Sequence, residues 1–483
     1  MARTLKSIFF PPSSKWKYWL FIAFISRFIF FLLVIHFSQY QGFKGFWGGM
    51  RADSEGYMLP FDNLVKTGAY SPDYRMPGYG VLYLPLILIF SKAVTCNIII
   101  IIQLFFSVTS VYALALIARN LFKNEIPFCI TFYLFAVSSF SSLMDPVILA
   151  ESLSTSVLIL SVYFITVFFN NYKRSNLILS GLLLTWGVFL RPVFCLLIIC
   201  FFALILLNLI KTKRKFIVAF LFLLPFTLID GSWIIRNYIV YKDPAPLTRT
   251  VLFPWIENSH LLPIMNFVEA WGGDVWFINP NAEATWFINN KPCTNDTVPF
   301  PKYIYTSAFN TDSLKMLKTL ITKMGTDTSL SAMQKKEDER IVISKLNTYT
   351  ASIKKEKPYI YYVKSNEIRL FKFLFSIHSV SKLFINNFIT RFYSMFYYIT
   401  ICLGLVGLIF LLPYVFKASL QSIVAIVPIY IILIHPIVLR LNENRYLIPA
   451  YPFMLVAIAY LIYTIYCRVQ GVSEKSVDKI QKL

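Results

Sequence analysis

The sequence predicts an all-α, polytopic membrane protein of about ten spanning helices, on three observations. Of its 483 residues, 57% are hydrophobic and only 14% are charged, far below the roughly one-quarter charged residues of soluble domains. Apolar runs of about twenty residues, the length that crosses a bilayer as a helix, recur from one end to the other. Basic residues gather in the short stretches between those runs, a pattern that reports orientation.

The elements follow in order. The first apolar run opens at Trp16 behind Arg3, Lys6 and Lys15 and continues to His36. It is too long for the core of a signal peptide and no small-residue cleavage site follows, so it reads as a retained span. Further basic clusters are Arg119 with Lys123, Lys173-Arg174, Lys211 with Lys213-Arg214-Lys215, Lys417, and a tail with Arg468, Lys475, Lys479 and Lys482. Placing each in the cytoplasm predicts spans at about 17–37, 97–118, 127–144, 147–169, 176–190, 193–209, 215–234, 394–414, 419–438 and 446–466, with both termini inside. Residues 79–95 are apolar but break that parity if they cross, so they are expected to lie along the outer leaflet as an interfacial helix. Residues 371–390 read the same way, because Lys372, His378 and Lys382 interrupt them.

Three segments result. Residues 1–235 form a transmembrane module whose first external loop, 38–96, carries the most conspicuous polar patch. Residues 236–390 form a large external loop: its first half is rich in Trp, Pro, Asn and Gly (Trp255, Trp271, Trp276, Trp286, Pro299), and a small helical cap is expected over about 329–369. Residues 391–483 supply the last spans and a basic tail.

Several chemistries are excluded by what is missing. The net charge of +22 belongs to loops that report topology, and no nucleic-acid-binding motif accompanies it. Six of seven cysteines sit in or beside apolar runs and Cys293 has no loop partner, so packing explains them. Four histidines without an HExxH pair, and no P-loop or GxSxG, leave metalloprotease, nucleotide and serine-hydrolase chemistry without residues. The sequence requires no cofactor and designates no metal ligands; it leaves a divalent cation open.

The residues that could do chemistry share the predicted external face. Asp53, within Asp53-Ser54-Glu55-Gly56-Tyr57, could act as a general base or simply cap a helix. Arg75, before Met76-Pro77-Gly78-Tyr79, suits a phosphate at headgroup depth, or anchors an interfacial helix. Asp145 and Glu151 flank Pro146; Asp145 could cap a helix starting at Pro146, whereas Glu151 lies inside an apolar helix and needs a partner, with Arg191 and Arg236 as candidates. Arg191-Pro192, Arg236-Asn237 and Arg445 each put an arginine at an outer helix end. Four arginines on a face that the positive-inside bias disfavours point to an anionic ligand.

Taken in order, these motifs carry a resemblance. Asp53-Ser54-x-x-Tyr57, Arg75-x-Pro77-Gly78-Tyr79, Asp145-Pro146 followed by Glu151, Arg191-Pro192, Trp233-x-x-Arg236-Asn237-Tyr238-x-Val240 and Arg445-Tyr446-x-x-Pro449-x-x-Pro452 together resemble the bacterial GT-C membrane glycosyltransferases related to protein O-mannosyltransferases and the lipid A aminoarabinose transferase. The resemblance runs over about residues 17–466 and is weakest across 260–330. It implies a GT-C fold with about 10–13 transmembrane helices, a shared seven-span N-terminal module and interfacial helices in the first external loop. It implies an inverting transfer of a sugar from a polyprenyl-phosphate carrier to a protein, lipid or glycan acceptor on the external face of the inner or plasma membrane. On that analogy Asp53 is the base and Arg75, with Arg445, contacts carrier phosphate; some members bear lysine at the Arg75 position. Glu55, Tyr57, Tyr79, Asp145, Glu151, Arg191, Arg236 and Asn237 are the remaining candidates for contacts to sugar or acceptor. A flippase of lipid-linked sugars would also want outer arginines, but predicts charges deep in several spans. An oligosaccharide polymerase or ligase would differ only in acceptor. A non-catalytic scaffold leaves Asp53 and the four arginines unexplained.

Overall fold

A computed structural model describes residues 11–37, 42–51, 53–209, 213–248, 256, 259–275, 282–289, 300–376 and 387–470. Arg3, Lys6, Lys211, Trp255, Trp276, Cys293, Pro299, His378, Lys382 and the tail lysines lie outside them. The chain is all-α: among the described residues the only β-pairings are two isolated bridges. It divides into two compact units, Met1–Arg249 with Ile377–Ile431 and Asn444–Leu483, and Thr250–Ser376 with Ile432–Glu443.

The helices in chain order are α1 (Trp16–Phe37), α2 (Ser54–Thr67), α3 (Gly80–Ile87), α4 (Lys92–Phe122), α5 (Glu125–Val137), α6 (Ala150–Asn171), α7 (Arg174–Leu190), α8 (Cys195–Asn208), α9 (Lys215–Tyr241), α10 (Leu261–Glu269), α11 (Glu283–Ile288), α12 (Thr311–Thr326), α13 (Ala332–Glu356), α14 (Ser365–Phe375), α15 (Asn387–Phe416), α16 (Ile423–Leu433) and α17 (Tyr451–Val469). Each of the ten predicted spans coincides with a helix. Seven are long and apolar enough to cross a bilayer: α1, α4, α6, α9, the Arg391–Phe416 part of α15, Leu420–Val438 and α17. The chain is a multi-pass membrane protein.

Boundaries move where local chemistry decides them. The run 127–144 breaks after Val137: Ser138 is extended and a four-residue turn, Ser139–Ser142, follows. The next helix starts at Ala150, with Leu149 at its N-cap, so Asp145 does not cap a helix beginning at Pro146. Residues 79–95 are not one helix. A 3-10 turn (Pro77–Tyr79) leads into α3, whose eight residues span about 12 Å, too short to cross, and Lys92 already belongs to α4. Likewise α14 ends at Phe375 with Ser376 extended, so 371–390 is not continuous helix; 377–386 lie outside the described residues. The last turn of α9 runs to Tyr241 rather than 234.

In the first unit, α6 is the most enclosed span, 72% buried over its apolar window. Small residues let its neighbours approach: Ser161 and Ser180 exchange hydroxyl and carbonyl hydrogen bonds at 2.8–2.9 Å. A Cβ on Gly181 would lie 2.0 Å from the Phe222 carbonyl oxygen, so α7 and α9 touch backbone to backbone, the close packing favoured where lipid offers no hydrophobic drive. Arg27, inside α1 and fully buried, donates to the carbonyls of Phe135 (3.0 Å) and Ser138 (3.3 Å). It thereby satisfies the C-terminal carbonyls of α5, where a cation also complements the helix dipole.

The second unit has its own core of Ile264, Phe267, Trp271, Phe287, Phe300, Phe309, Leu346 and Tyr349. Over 329–369, where a helical cap was expected, the chain forms α13, the turn Ile360–Lys364 and the start of α14; α13 and the preceding α12 are opened by capping boxes at Ser331 and Asn310, the double side-chain–backbone exchange that starts a helix cleanly. Arg369 is buried and donates to the carbonyls of Glu269 (2.5 Å) and Pro436 (3.0 Å), joining three segments of this unit.

Candidate functional site

The first loop of the first unit is sewn down before it reaches Asp53. Asn97 of α4 accepts from the Trp47 amide and donates to the Gly45 carbonyl, both at 2.9 Å. Gly49 donates to Pro146 O (2.9 Å) and accepts from the Ile148 amide (3.2 Å). At Gly48 only glycine fits, since a Cβ would stand 2.2 Å from Pro146 O. These bonds bring residues 45–49 against the turn that carries Asp145. The chain then enters α2, and Asp53 sits at its N-cap position.

Asp53 does not cap the helix: its side chain makes no cap hydrogen bond. Its carboxylate instead bridges two arginines, Oδ1 to Arg75 Nη2 at 2.9 Å and Oδ2 to Arg445 Nη2 at 2.7 Å. Glu151 is nearly enclosed and pairs with Arg191 Nη2 at 2.6 Å, with Arg445 Nη1 3.6 Å away. Arg445 therefore reaches both acids. Three guanidinium groups face two carboxylates, so the cluster carries one net positive charge. Glu151 Oε2 and Arg191 Nε are buried and make no hydrogen bond among the described residues.

Each arginine is placed by backbone punctuation. Gly78 lies against the end of α7, where a Cβ would be 2.3 Å from the Phe189 carbonyl carbon, and Trp186 donates its indole N–H to Gly78 O at 2.8 Å. The Pro-Gly turn after Arg75 is thus fixed beside the segment that ends in Arg191. Pro192 stops α7 and leaves Arg191 extended at its C-cap. Arg445 lies in the 3-10 turn Asn444–Leu447 just ahead of α17.

Aromatic rings line the cluster. The Arg75 guanidinium lies 4.3 Å from the Tyr57 ring and donates to its hydroxyl at 3.0 Å. Tyr446 is 5.2 Å from both Arg191 and Arg445. Tyr57 neighbours Tyr79, whose hydroxyl donates to Gln103 Oε1 (3.1 Å), and Gln103 donates to the carbonyls of Asp145 and Val147. Partial burial alone would raise the Asp53 pKa, but Arg445 and Arg75 outweigh it and hold the carboxyl below its ordinary value. Asp145 is pushed up to about 6 because burial outweighs Arg27 and the hydroxyl of Ser152, which donates to Oδ1 at 2.6 Å.

Of the sequence-derived candidates, Asp53, Tyr57, Arg75, Glu151, Arg191 and Arg445 meet in this cluster. Tyr79 and Asp145 flank it through Gln103. Glu55 does not join: it is exposed on α2. Arg236 and Asn237 form a separate group, with Arg236 Nη1 3.5 Å from Asp73 and 2.9 Å from Asn237 Oδ1. Arg191, not Arg236, is the partner of Glu151. Asn237 donates to Ala245 O at 2.8 Å, and Leu247 is held by Asp230 and Trp233, so this end of α9 clamps the outgoing chain. Arg27, Gln103 and Asp73 were not foreseen, and Tyr446 entered only as the motif neighbour of Arg445, without a role. For Arg27 and Gln103 the available signal was a polar residue deep in an apolar span.

No family model matches the chain, and no curated protein matches its sequence. Two solved structures resemble it, both of the oligosaccharyltransferase of Archaeoglobus fulgidus. The apo crystal structure gives a TM-score of 0.45 at 11% identity. The enzyme, AglB, in complex with an inhibitory peptide and a dolichol-phosphate gives 0.44 at 11%. Each match covers 95% of this chain and 52% of the other, so the chain spans about half the length of those proteins.

Proposed function

We propose that this chain is a GT-C-type membrane glycosyltransferase that moves a sugar from a polyprenyl-phosphate carrier to an acceptor on the external face, with inversion at the anomeric carbon. The observation that carries this reading is the Asp53–Arg75–Arg445 bridge. One carboxylate that can take a proton is held between two guanidinium groups that can take a phosphate.

The step balances in charge. The acceptor oxygen or nitrogen attacks the anomeric carbon, the bond from that carbon to phosphate oxygen breaks, and the acceptor's proton passes to Asp53. The phosphodiester of the donor carries one negative charge, matching the single net positive charge of the cluster. Once Asp53 is protonated the cluster gains a second, matching the dianionic phosphate monoester that leaves. Arginines placed in advance against that developing charge lower the barrier in a partly dehydrated site. Glu151 keeps Arg191 and Arg445 oriented without neutralising the group. Each Asp53 oxygen already accepts from one arginine and keeps a second lone pair for the acceptor's proton; donor phosphate that shares those guanidinium groups makes the carboxylate more basic.

The test is transfer by the purified full-length protein, supplied with polyprenyl-phosphate sugars and protein, lipid and glycan acceptors. Wild type forms product and Asp53→Asn, equally folded, does not. Full transfer by the variant would overturn the assignment.

A further inference from the structure

We propose that Arg236 is a positioning residue: with Asp73 and Tyr70 it fixes the turn 70–75 that holds Arg75 against Asp53. This rests on the reading above for its consequence in catalysis, but not for its geometry. The Arg236 guanidinium is ringed by Trp233 (4.7 Å), Tyr241 (5.1 Å) and Tyr70 (5.6 Å), a stacked placement that a lysine would not reproduce. From there it reaches Asp73 Oδ2 at 3.5 Å and the Tyr70 carbonyl at 3.4 Å.

Tyr70 carries the constraint onward. Its ring is wedged between Phe61 of α2 (5.2 Å) and Trp233 of α9 (5.9 Å), and its hydroxyl donates to Arg75 O at 2.8 Å. Burial pushes the Tyr70 phenol well above its ordinary pKa, so it stays a donor. On the other side Asn63 of α2 donates to Ser71 O at 2.6 Å. The turn is therefore held at both ends, by α2 and by α9, and the residue it delivers is Arg75. A partly exposed Arg–Asp pair contributes little by itself; the restraint comes from several contacts converging on one short turn. Arg236 touches neither Asp53 nor Glu151 among the contacts above, so its effect on the cluster passes through Arg75 alone.

The prediction is selective loosening. Full-length wild type, Arg236→Ala, Arg236→Lys and Tyr70→Phe would be treated with phenylglyoxal, and modification of Arg75 and Arg445 followed peptide by peptide. In Arg236→Ala, Arg75 should react about fivefold faster, the scale of a modest local opening, while Arg445 stays at the wild-type rate. Arg236→Lys and Tyr70→Phe should give smaller increases at Arg75 only. Under the transfer reading, the same variants raise KM for the lipid-phosphate donor more than they lower kcat. Unchanged protection of Arg75 would overturn the proposal, as would equal exposure of both arginines, which would mark general loss of structure. Failure of transfer in wild type would sink the functional reading while leaving the modification result to judge the clamp.

Discussion

Arg445 donates to Asp53 Oδ2 at 2.7 Å, joining the last helical turn before α17 to the first residue ahead of α2. The two ends of the sequence thus share one carboxylate, and Arg75 takes its other oxygen. Under the proposed role, Asp53→Asn removes the proton acceptor and should lower kcat by about 10²–10⁴, the usual range for a general base. Steady-state transfer assays check this, with thermal unfolding in detergent to confirm that the variant is folded.

Arg445→Ala should behave differently. Under the proposed function it strips one guanidinium from the leaving phosphate, and in the structure it leaves Glu151 and Asp53 each short of a partner. The loss should be about 10²–10³ in kcat, accompanied by a lower Tm, because both acids lose part of their compensation. A variant with wild-type kcat would place the phosphate elsewhere.

How much of this could be read in the sequence is set by range. The spans were legible because a bilayer demands about twenty apolar residues and lipid tolerates no open backbone: seven of the ten predicted spans have a helix long and apolar enough to cross, whereas those at α5, α7 and α8 have shorter apolar helices. Asp53, Arg75, Glu151, Arg191 and Arg445 were legible as charges at odds with their surroundings. Which acid met which arginine was not, because pairing depends on helix packing: Arg191 and Arg236 look alike as residues at outer helix ends, yet one neutralises Glu151 and the other grips Asp73. Helix breaks at Val137 and Ser376 were missed although serines stand at both, Ser138-Ser139 with Ser141-Ser142 after the first and Ser376 at the second, because serine is also common inside membrane helices and by itself does not mark an end. Arg27 went unnoticed because carbonyls at the end of α5, its partners, carry no side-chain signature.

Gly56 offers a geometric test. A Cβ at this position would stand 2.8 Å from Arg75 Nε and 3.2 Å from Tyr74. Gly56→Ala leaves α2 intact, since alanine is the better helix former, yet it must push the guanidinium off Asp53. Transfer should fall about tenfold to a hundredfold, the cost of an ångström-scale misplacement, with Tm unchanged or slightly raised. A large loss of Tm with no separate loss of kcat would show that the glycine serves packing alone.

Asp145 should mark the pH dependence of stability. Its pKa is raised to about 6 from an unfolded value near 4, so between those limits the folded state binds more protons than the unfolded one. Stability contributed by this group is then present at low pH and falls as pH rises from about 4 to about 6. Asp145→Asn, which keeps an acceptor for Ser152, should flatten that part of the Tm–pH curve. An unaltered slope would mean that Arg27 compensates the charge fully.

The acidic limb of the rate profile follows from Asp53 with the opposite sign. Arg445 and Arg75 hold its carboxyl below the ordinary value against the effect of burial, so before any ligand binds the proposed base stays ionised down to unusually low pH. The limb in kcat/KM, which reports the free enzyme, should therefore lie below about 4, the ordinary carboxylate range. The paired Asp53 likewise contributes stability above that range, lost as pH falls through its depressed pKa. Binding of donor phosphate shares the two guanidinium groups with a second anion, which weakens their hold on Asp53 and raises its affinity for a proton. The limb in kcat, which reports the bound complex, should accordingly sit at higher pH than the limb in kcat/KM. Arg75→Lys, retaining charge but losing the planar contact with Tyr57, should move the kcat/KM limb upward toward the kcat limb. Coincident limbs in wild type would mean that bound phosphate does not loosen the arginines' hold on Asp53, and would overturn the proposed sharing of the two guanidinium groups.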